Sequence, residues 1–370
     1  MTAGTGADGR GSALAALVLR RTVELARIPA PTGAEGNRAS VVRRWWDDDG
    51  WAPVTDSAGN VWGQVPGGPG PALLVAAHLD TVFPAELPHE VVATPGRLTG
   101  PSVGDDSIGV AALSAAALLA GPGPGPVWLV ATVAEEGMGN LAGIRHALAH
   151  APQPVSAVIA VEGNYLGRVV VTGVGSIRWR VHYRGPGGHA WERSGAPSAV
   201  HAAAAAAARI ADLTVPGARC SVNIGSIGGG EAINARARNA WFEADLRADT
   251  ATALQQLADR AASIVTTATG TGLAVDVTEL GRRPAGGVAP SSPLAKAASD
   301  ALARAGIDCE FSAASTDANA AYEAGIAAVA LGVTRGAGEH TPGEWIDTGP
   351  VAAGLAALAD TIRHFREEQG

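Results

Sequence analysis

Lysine is almost missing from this 370-residue chain; Lys296 is the only one, and arginine carries the rest of the positive charge. That imbalance, together with the many alanines, reads as the base bias of a genome and says little about chemistry. Cysteine is nearly as scarce. Cys220 and Cys309 stand far apart with no CxxC spacing. That excludes a disulfide scaffold and a thiolate zinc site, and two reduced, mostly buried thiols are the expectation. Basic charge is in short supply too. A formal net charge of -8 argues against a nucleic-acid or anionic-membrane partner, since both require a basic surface. No run approaches the roughly 18 apolar residues of a membrane span. The opening stretch MTAGTGADGRGSALAALVLRR lacks a basic segment ahead of an apolar core and a small-residue cleavage site after one. A cytoplasmic location is therefore expected.

What is plentiful is apolar surface. Hydrophobic residues make up 47% of the chain and charged ones 17%, the balance of an ordinary globular protein with length enough for a sizeable core and two domains. Residues 11–27 read as a helix with Leu14, Leu17, Val18, Val23 and Leu25 on or near one face. The stretch IPAPTG breaks it, and Thr32 is the expected cap of a second helix that carries Glu35 near its start. Four short, nearly continuous apolar runs follow, at 72–77, 127–133, 157–161 and 327–333. Such runs are how strands buried on both faces look. Alanine- and leucine-rich stretches of helical length lie between them, around 107–120, 139–150 and 349–366. The alternation predicts an α/β fold, a mainly parallel sheet with helices on both faces.

The middle of the chain differs. The segments VVVTGVGSIRWRVHYRG, CSVNIGSIGGG and ARNAWFEADLRAD alternate as antiparallel strands with one wet face do. Helical stretches at 196–213 and 250–268 interleave with them. The reading is a small α+β domain at about 172–282, inserted into an α/β domain made of 1–171 and 283–370.

Ligands of open α/β sheets bind outside the carboxyl ends of the strands. His78 follows the first apolar run, with Asp80 two residues on. The adjacent pair Glu135 and Glu136 follows the second, Glu162 the third, and His340 comes shortly after the fourth; a loop before a helix adds Asp105 and Asp106. Each alone reads as a cap or a wet loop. Gathered at one sheet edge, these acids would repel one another unless cations offset their charge. Imidazole and carboxylate without thiolate favour zinc, with cobalt or manganese able to substitute. One Asp can bridge two ions about 3.5–4 Å apart, as in hydrolytic two-metal sites.

The motifs HLDTVFP, GPSVGDD, EEGMGN, VEG, GPGGHA and GEHTPGEWID, in this order and spacing, resemble the M20 family of metallopeptidases, which includes glutamate carboxypeptidases, tripeptidase T and aminoacylases. The resemblance implies two zinc ions per chain in a catalytic domain. His78 and Glu162 would complete one zinc, Glu136 and His340 the other, and Asp105 would bridge them. Asp80 would hold the His78 imidazole in its ligating tautomer, and Glu135 would be the general base that activates a metal-bridging hydroxide. The inserted domain would be the family's lid and homodimer interface. There His189 would polarise the scissile carbonyl, often across the dimer, while Asn234 and Arg247 would hold polar groups or the carboxylate of the substrate. Arg247 has a rival reading as the partner of Asp245, and Asn234 as a turn residue.

Two departures stand out. Ser107 occupies the position, two after the bridging Asp, where the family commonly has Lys. Asp106 competes with Asp105 for the bridging role, and the register of the following SIGV helix favours Asp105. The remaining histidines, His89, His146, His150, His182, His201 and His364, read as structural or surface residues. The function implied is cleavage of an amide bond in a small peptide, or else in an N-acyl amino acid; the rival from another class is a non-catalytic relative that keeps the fold as a dimeric binding module, which the filled ligand and base positions disfavour. No nucleic-acid or membrane partner is implied.

Overall fold

The structure is a computed structural model that describes residues 5–214, 217, 219–268 and 272–369. The chain divides into two compact units, one of 1–173 and 287–370 and the other of 174–286.

The larger unit is built on a nine-stranded sheet. Its strands are β1 (Val54–Thr55), β2 (Val61–Val65), β3 (Ala72–His78), β4 (Val127–Thr132), β5 (Val155–Val161), β6 (Arg168–Gly173), β7 (Gly286–Gly287), β8 (Glu310–Ala314) and β9 (Ala327–Leu331). They run in the order β1-β2-β4-β3-β5-β9-β6-β7, with β8 paired to β6. The ladders β3–β4, β3–β5, β5–β9 and β6–β8 are parallel. Those of β1–β2, β2–β4 and β6–β9 are antiparallel.

Burial explains why the central runs are unbroken. Every residue of β3 is buried, because helices cover both faces. Leu73, Val75 and Ala77 point into a core shared with α1 (Thr5–Ala26), α2 (Gly36–Asp48), α3 (Ile108–Ala120), α5 (Pro293–Arg304) and α7 (Val351–Gln369). Leu74 and Ala76 point the other way, toward α4 (Ala142–Ala149) and α6 (Ala318–Glu323). Each large apolar side chain so buried contributes about 1.5–3 kcal/mol. The stretch Val103–Ala120 reaches the length and hydropathy of a membrane span, but 83% of it is buried inside the fold. It is a core segment.

The smaller unit is a four-stranded antiparallel sheet in the order 220–229, 239–248, 175–184, 274–283. Helices Ala199–Ala211 and Ala251–Thr267 cover one face, over Ile177, Val181, Tyr183, Phe242 and Leu246. Thr250 caps the second helix by accepting the Ala253 amide at 3.2 Å. The other face carries charge, with Arg178 against Asp245 and Arg180 against Glu243. The stretch VVVTGVGSIRWRVHYRG is two strands in two different sheets, and the chain passes between units at Gly173–Val174. Both cysteines are free thiols, but Cys309 is exposed and Cys220 half-buried. The expectation of mostly buried thiols fails because Cys220 sits on a strand with a wet side and Cys309 in the loop just ahead of β8.

Candidate metal centre

The carboxyl ends of the parallel strands carry the acids and imidazoles of one cluster. His78 is the last residue of β3, Glu162 follows β5 directly, and Glu135 and Glu136 lie just past β4. His340 comes from a loop held by a four-stranded sheet of Gly336–Ala337, Trp345–Asp347, Arg97–Thr99 and Val92–Thr94. Asp105 precedes α3 and is joined to Asp106 by a cis peptide bond.

Asp105 lies between the two imidazoles. Its Oδ1 is 2.9 Å from His78 Nε2, and its Oδ2 is 3.1 Å from His340 Nε2. His340 Nε2 is also 3.2 Å from Glu136 Oε1. Donor atoms of His78, Asp105 and Glu162 lie within 4.8 Å of one another, as do those of Asp105, Glu136 and His340. The two triads share Asp105. A third group, His78 with Glu135 and Glu136, is as compact. We favour the pair that shares Asp105, because it alone employs both oxygens of one carboxylate and leaves Glu135 for other chemistry.

Around these donors stands a frame of buried polar groups. His78 Nδ1 donates to the carbonyl oxygen of Asp80 at 3.0 Å, which leaves Nε2 as the nitrogen that can bind a metal. The Asp80 carboxylate is farther from Nδ1, at 3.6 Å. Its oxygens instead accept the backbone amides of Glu135 and Glu136, both at 2.9 Å, and the Thr32 hydroxyl at 2.7 Å. Asp80 thus steadies the histidine through its main chain and the glutamate pair through its side chain. Thr32 caps no helix; Glu35 occupies the N-cap of α2 without a side-chain bond there. The Glu35 carboxylate accepts the amides of Gly33 and Ala134. Ala134 sits at φ 54°, in left-handed backbone ahead of the glutamates, and His340 sits at φ 63°. Such conformations cost about 1–3 kcal/mol and cluster at functional sites.

Asp106 is fully buried and makes no approach to the second imidazole. It accepts the Gly163 amide at 2.8 Å and the His78 amide at 3.3 Å, so it braces the strand ends that carry His78 and Glu162. Gly109 has to lack a side chain, because a Cβ there would lie 2.0 Å from Asp106 Oδ1. Glu344 accepts the amides of Gly104 and Asp105, each at 2.7 Å. Arg38 reaches behind the same loop. Sequence reasoning missed the site roles of Thr32, Glu35, Arg38, Asp106 and Glu344. Arg38 had a signal, since it shares a helical stripe with Val42, Trp45 and Trp46 yet is charged.

Electrostatics mark the cluster as short of positive charge. Burial would lower His78, but its bonds to Asp105 and Asp80 prevail and hold it well above its ordinary value. Asp105 and Glu136 raise His340 to about 10. Burial raises Asp105, but the two imidazoles outweigh it and hold the carboxyl low. Burial pushes Glu162 up, and Asp106, Asp105 and Glu135 add to the effect; Asp106 is raised chiefly by burial as well. Protons are drawn to places where a divalent cation would serve, and the imidazole–carboxylate donor set fits zinc chemistry.

The other three candidate residues lie in the smaller unit. His189 lies on a two-stranded ribbon in which Gly188–His189 pairs with Ala235–Arg236, and Asn234 is a turn residue just ahead of the second strand, its carbonyl accepting the Ala190 amide at 2.8 Å. His189 is exposed. Arg247 lies on the charged sheet face, where its Nη2 is 2.8 Å from Asp245 Oδ2. Of the histidines outside the motifs, His146 on α4 stacks with His150 just past the helix end, and His89 packs edge-on to Phe83.

The sequence model of peptidase family M20/M25/M40 matches residues 74–364. No curated protein matches the chain by sequence. Among solved structures, a tripeptidase from Staphylococcus aureus is similar with a TM-score of 0.81 at 21% identity, over 95% of this chain and 99% of that one. The aminopeptidase PepT from Bacillus cereus has a TM-score of 0.78 at 21% identity, over 95% and 98%. The YXEP protein of Bacillus subtilis, described as a dinuclear metal binding peptidase, has a TM-score of 0.69 at 18% identity, again over 95% and 98%.

Proposed function

This chain belongs to peptidase family M20/M25/M40, and on that premise we propose that it hydrolyses an amide bond in a small peptide with two divalent ions, zinc by preference. His78, Asp105 and Glu162 would hold one ion, and Asp105, Glu136 and His340 the other. The observation that carries this reading is Asp105, with one oxygen 2.9 Å from the first imidazole and the other 3.1 Å from the second. When bound, the ions supply Lewis acidity and bring water to a pKa near 7.

The chain's own residues do the rest. Glu135 takes the proton of the attacking water and returns it to the leaving amine, work worth about 10²–10⁴-fold for a well-placed group. Its backbone bond to Asp80 keeps it beside the ligand Glu136. His189 polarises the scissile carbonyl and Asn234 holds a polar group of the substrate. Arg247 would receive a substrate carboxylate only by sharing itself with Asp245. The inserted unit serves as lid and homodimer interface, and the protein works in the cytoplasm. Similarity to structures named tripeptidase and aminopeptidase supports a peptide substrate over an N-acyl amino acid.

The test is a panel of di- and tripeptides and N-acyl amino acids, read by mass spectrometry on zinc-loaded and chelator-treated protein. Peptide cleavage that needs metal, at about two zinc ions per chain, is expected. Cleavage of the N-acyl substrates alone would make the protein a deacylase. No turnover by folded, loaded protein on either class would sink the reading.

A further inference from the structure

Arg38 is buried without any exposed atom of note, at 0%, and neither metal binding nor proton transfer requires it. It lies on the inner face of α2, two turns from its packed tryptophans Trp45 and Trp46. Among the described residues no carboxylate takes its hydrogen bonds. Nε donates to the Ile28 carbonyl at 2.9 Å, Nη1 to the Leu79 carbonyl at 3.1 Å and Nη2 to the Ser102 hydroxyl at 2.8 Å. Two of those acceptors are placed for the metal centre. Leu79 separates His78 from Asp80, and Ser102 begins the loop that presents Asp105.

A buried guanidinium held only by neutral acceptors is costly unless other charges offset it. Burial pulls Arg38 down to about 10, which leaves it a cation at neutral pH, and the nearby carboxyl groups, Asp80 first, favour its charged form. Ser107, also fully buried, has its hydroxyl 3.5 Å from that of Ser102, so the pocket under the Asp105 loop is polar and its fixed charge comes from α2.

We infer that Arg38 is a resident counter-charge of the acid cluster, which holds the metal-free site together against the mutual repulsion of its carboxylates. When divalent ions are bound they offset the same repulsion, and Arg38 becomes partly redundant. Its importance is therefore greatest without metal. A purely structural fork would matter equally in both states.

The experiment compares the metal-sensitive thermal transition of the parent, Arg38→Met and Arg38→Lys, each with chelator and with zinc. Lysine keeps the charge and loses the three-way fork. Arg38→Met is expected to lower the midpoint at least about twice as far in chelator as in zinc, whereas Arg38→Lys keeps the parent's interval between the two conditions. Equal losses for Arg38→Met in both conditions, or an interval widened as much by Lys as by Met, would overturn the inference. If Arg38→Met does not fold even with zinc, Arg38→Lys decides: an unchanged interval supports the counter-charge and a widened one defeats it. If zinc moves nothing in the parent, the metal reading fails on its own. The chelator arm then still decides, since Met well below Lys supports the counter-charge and Met level with Lys overturns it.

Discussion

The carboxylate of Asp80 accepts the backbone amide of Glu135 on one oxygen, while its other oxygen takes that of Glu136. Two adjacent acids at a strand end repel each other, and this arrangement fixes the turn that carries them. One residue receives both main-chain amides, which fixes the backbone of the turn while donor atoms of the two side chains lie within 4.8 Å of each other. Asp80→Asn would aim an amide NH2 at one of those donors. A loss of about 10–100-fold in metal affinity or turnover is expected, the usual cost of disturbing groups that orient metal ligands, with the fold retained by circular dichroism.

The two glutamates should separate in function. Glu135→Gln is expected to lower kcat by about 10²–10⁴-fold and leave the zinc content intact. Glu136→Gln is expected to lose one ion. Metal analysis beside single-substrate kinetics distinguishes them, and equal zinc loss in both variants would contradict the assignment.

Metal binding should release protons. Without metal, Asp105 and Glu136 hold His340 at about 10, so it is charged at neutral pH, and the bonds of His78 to Asp105 and Asp80 favour its charged form too. A metal needs the neutral imidazole. Zinc affinity should therefore fall as pH falls. Calorimetric binding heats should vary with the ionisation enthalpy of the buffer, with a slope that corresponds to about one to two protons released. Heats independent of buffer would be inconsistent with imidazole ligands.

Glu344 predicts an alkaline weakness. Burial pushes its carboxyl up to about 8, with Asp105 adding to the rise, and its Oε2 is buried without a hydrogen-bond partner among the described residues. A folded-state value above the ordinary 4.5 means that the folded chain binds the extra proton between roughly pH 4.5 and 8. Stability of the metal-free protein should then decline as pH rises through that window. Glu344→Gln keeps an oxygen for the Gly104 and Asp105 amides and removes the charge. It should flatten the decline and leave stability near pH 4 little changed, as read by denaturant midpoints across pH.

Much of this centre was legible before any fold was known. Unbroken apolar runs mark strands buried on both faces, and a polar residue that ends such a run must emerge at the sheet's edge. His78 and Glu162 are residues of that kind, and the structure places them there. The first helix, read as 11–27, spans Thr5–Ala26; the run read as 139–150 is helical over Ala142–Ala149, because Asn140 and Leu141 adopt left-handed backbone. The short edge strands β1 and β8 were not legible. Two to five residues of mixed character carry no periodicity, and they are strands only because a neighbour offers its ladder.

Thr32 shows the limit from the other side. A hydroxyl three residues ahead of Glu35 has the spacing of a helix cap. It donates to Asp80 instead, across 48 residues of sequence, because a buried carboxylate must be given donors, whereas the amides of a helix N-terminus can be satisfied by water.

By itself, then, the sequence determined which strands are central and which residues come to the sheet's carboxyl edge, since side-chain polarity along a strand is a local property with a fixed period. Tertiary structure alone decided which groups hold those residues in place. Asp80 holds the glutamate turn as well as the histidine, Asp106 braces the strand ends, and a helix arginine lies beneath the acids. Each of these depends on distances between segments far apart in the chain, which charge and hydrogen bonding settle only once the core has packed.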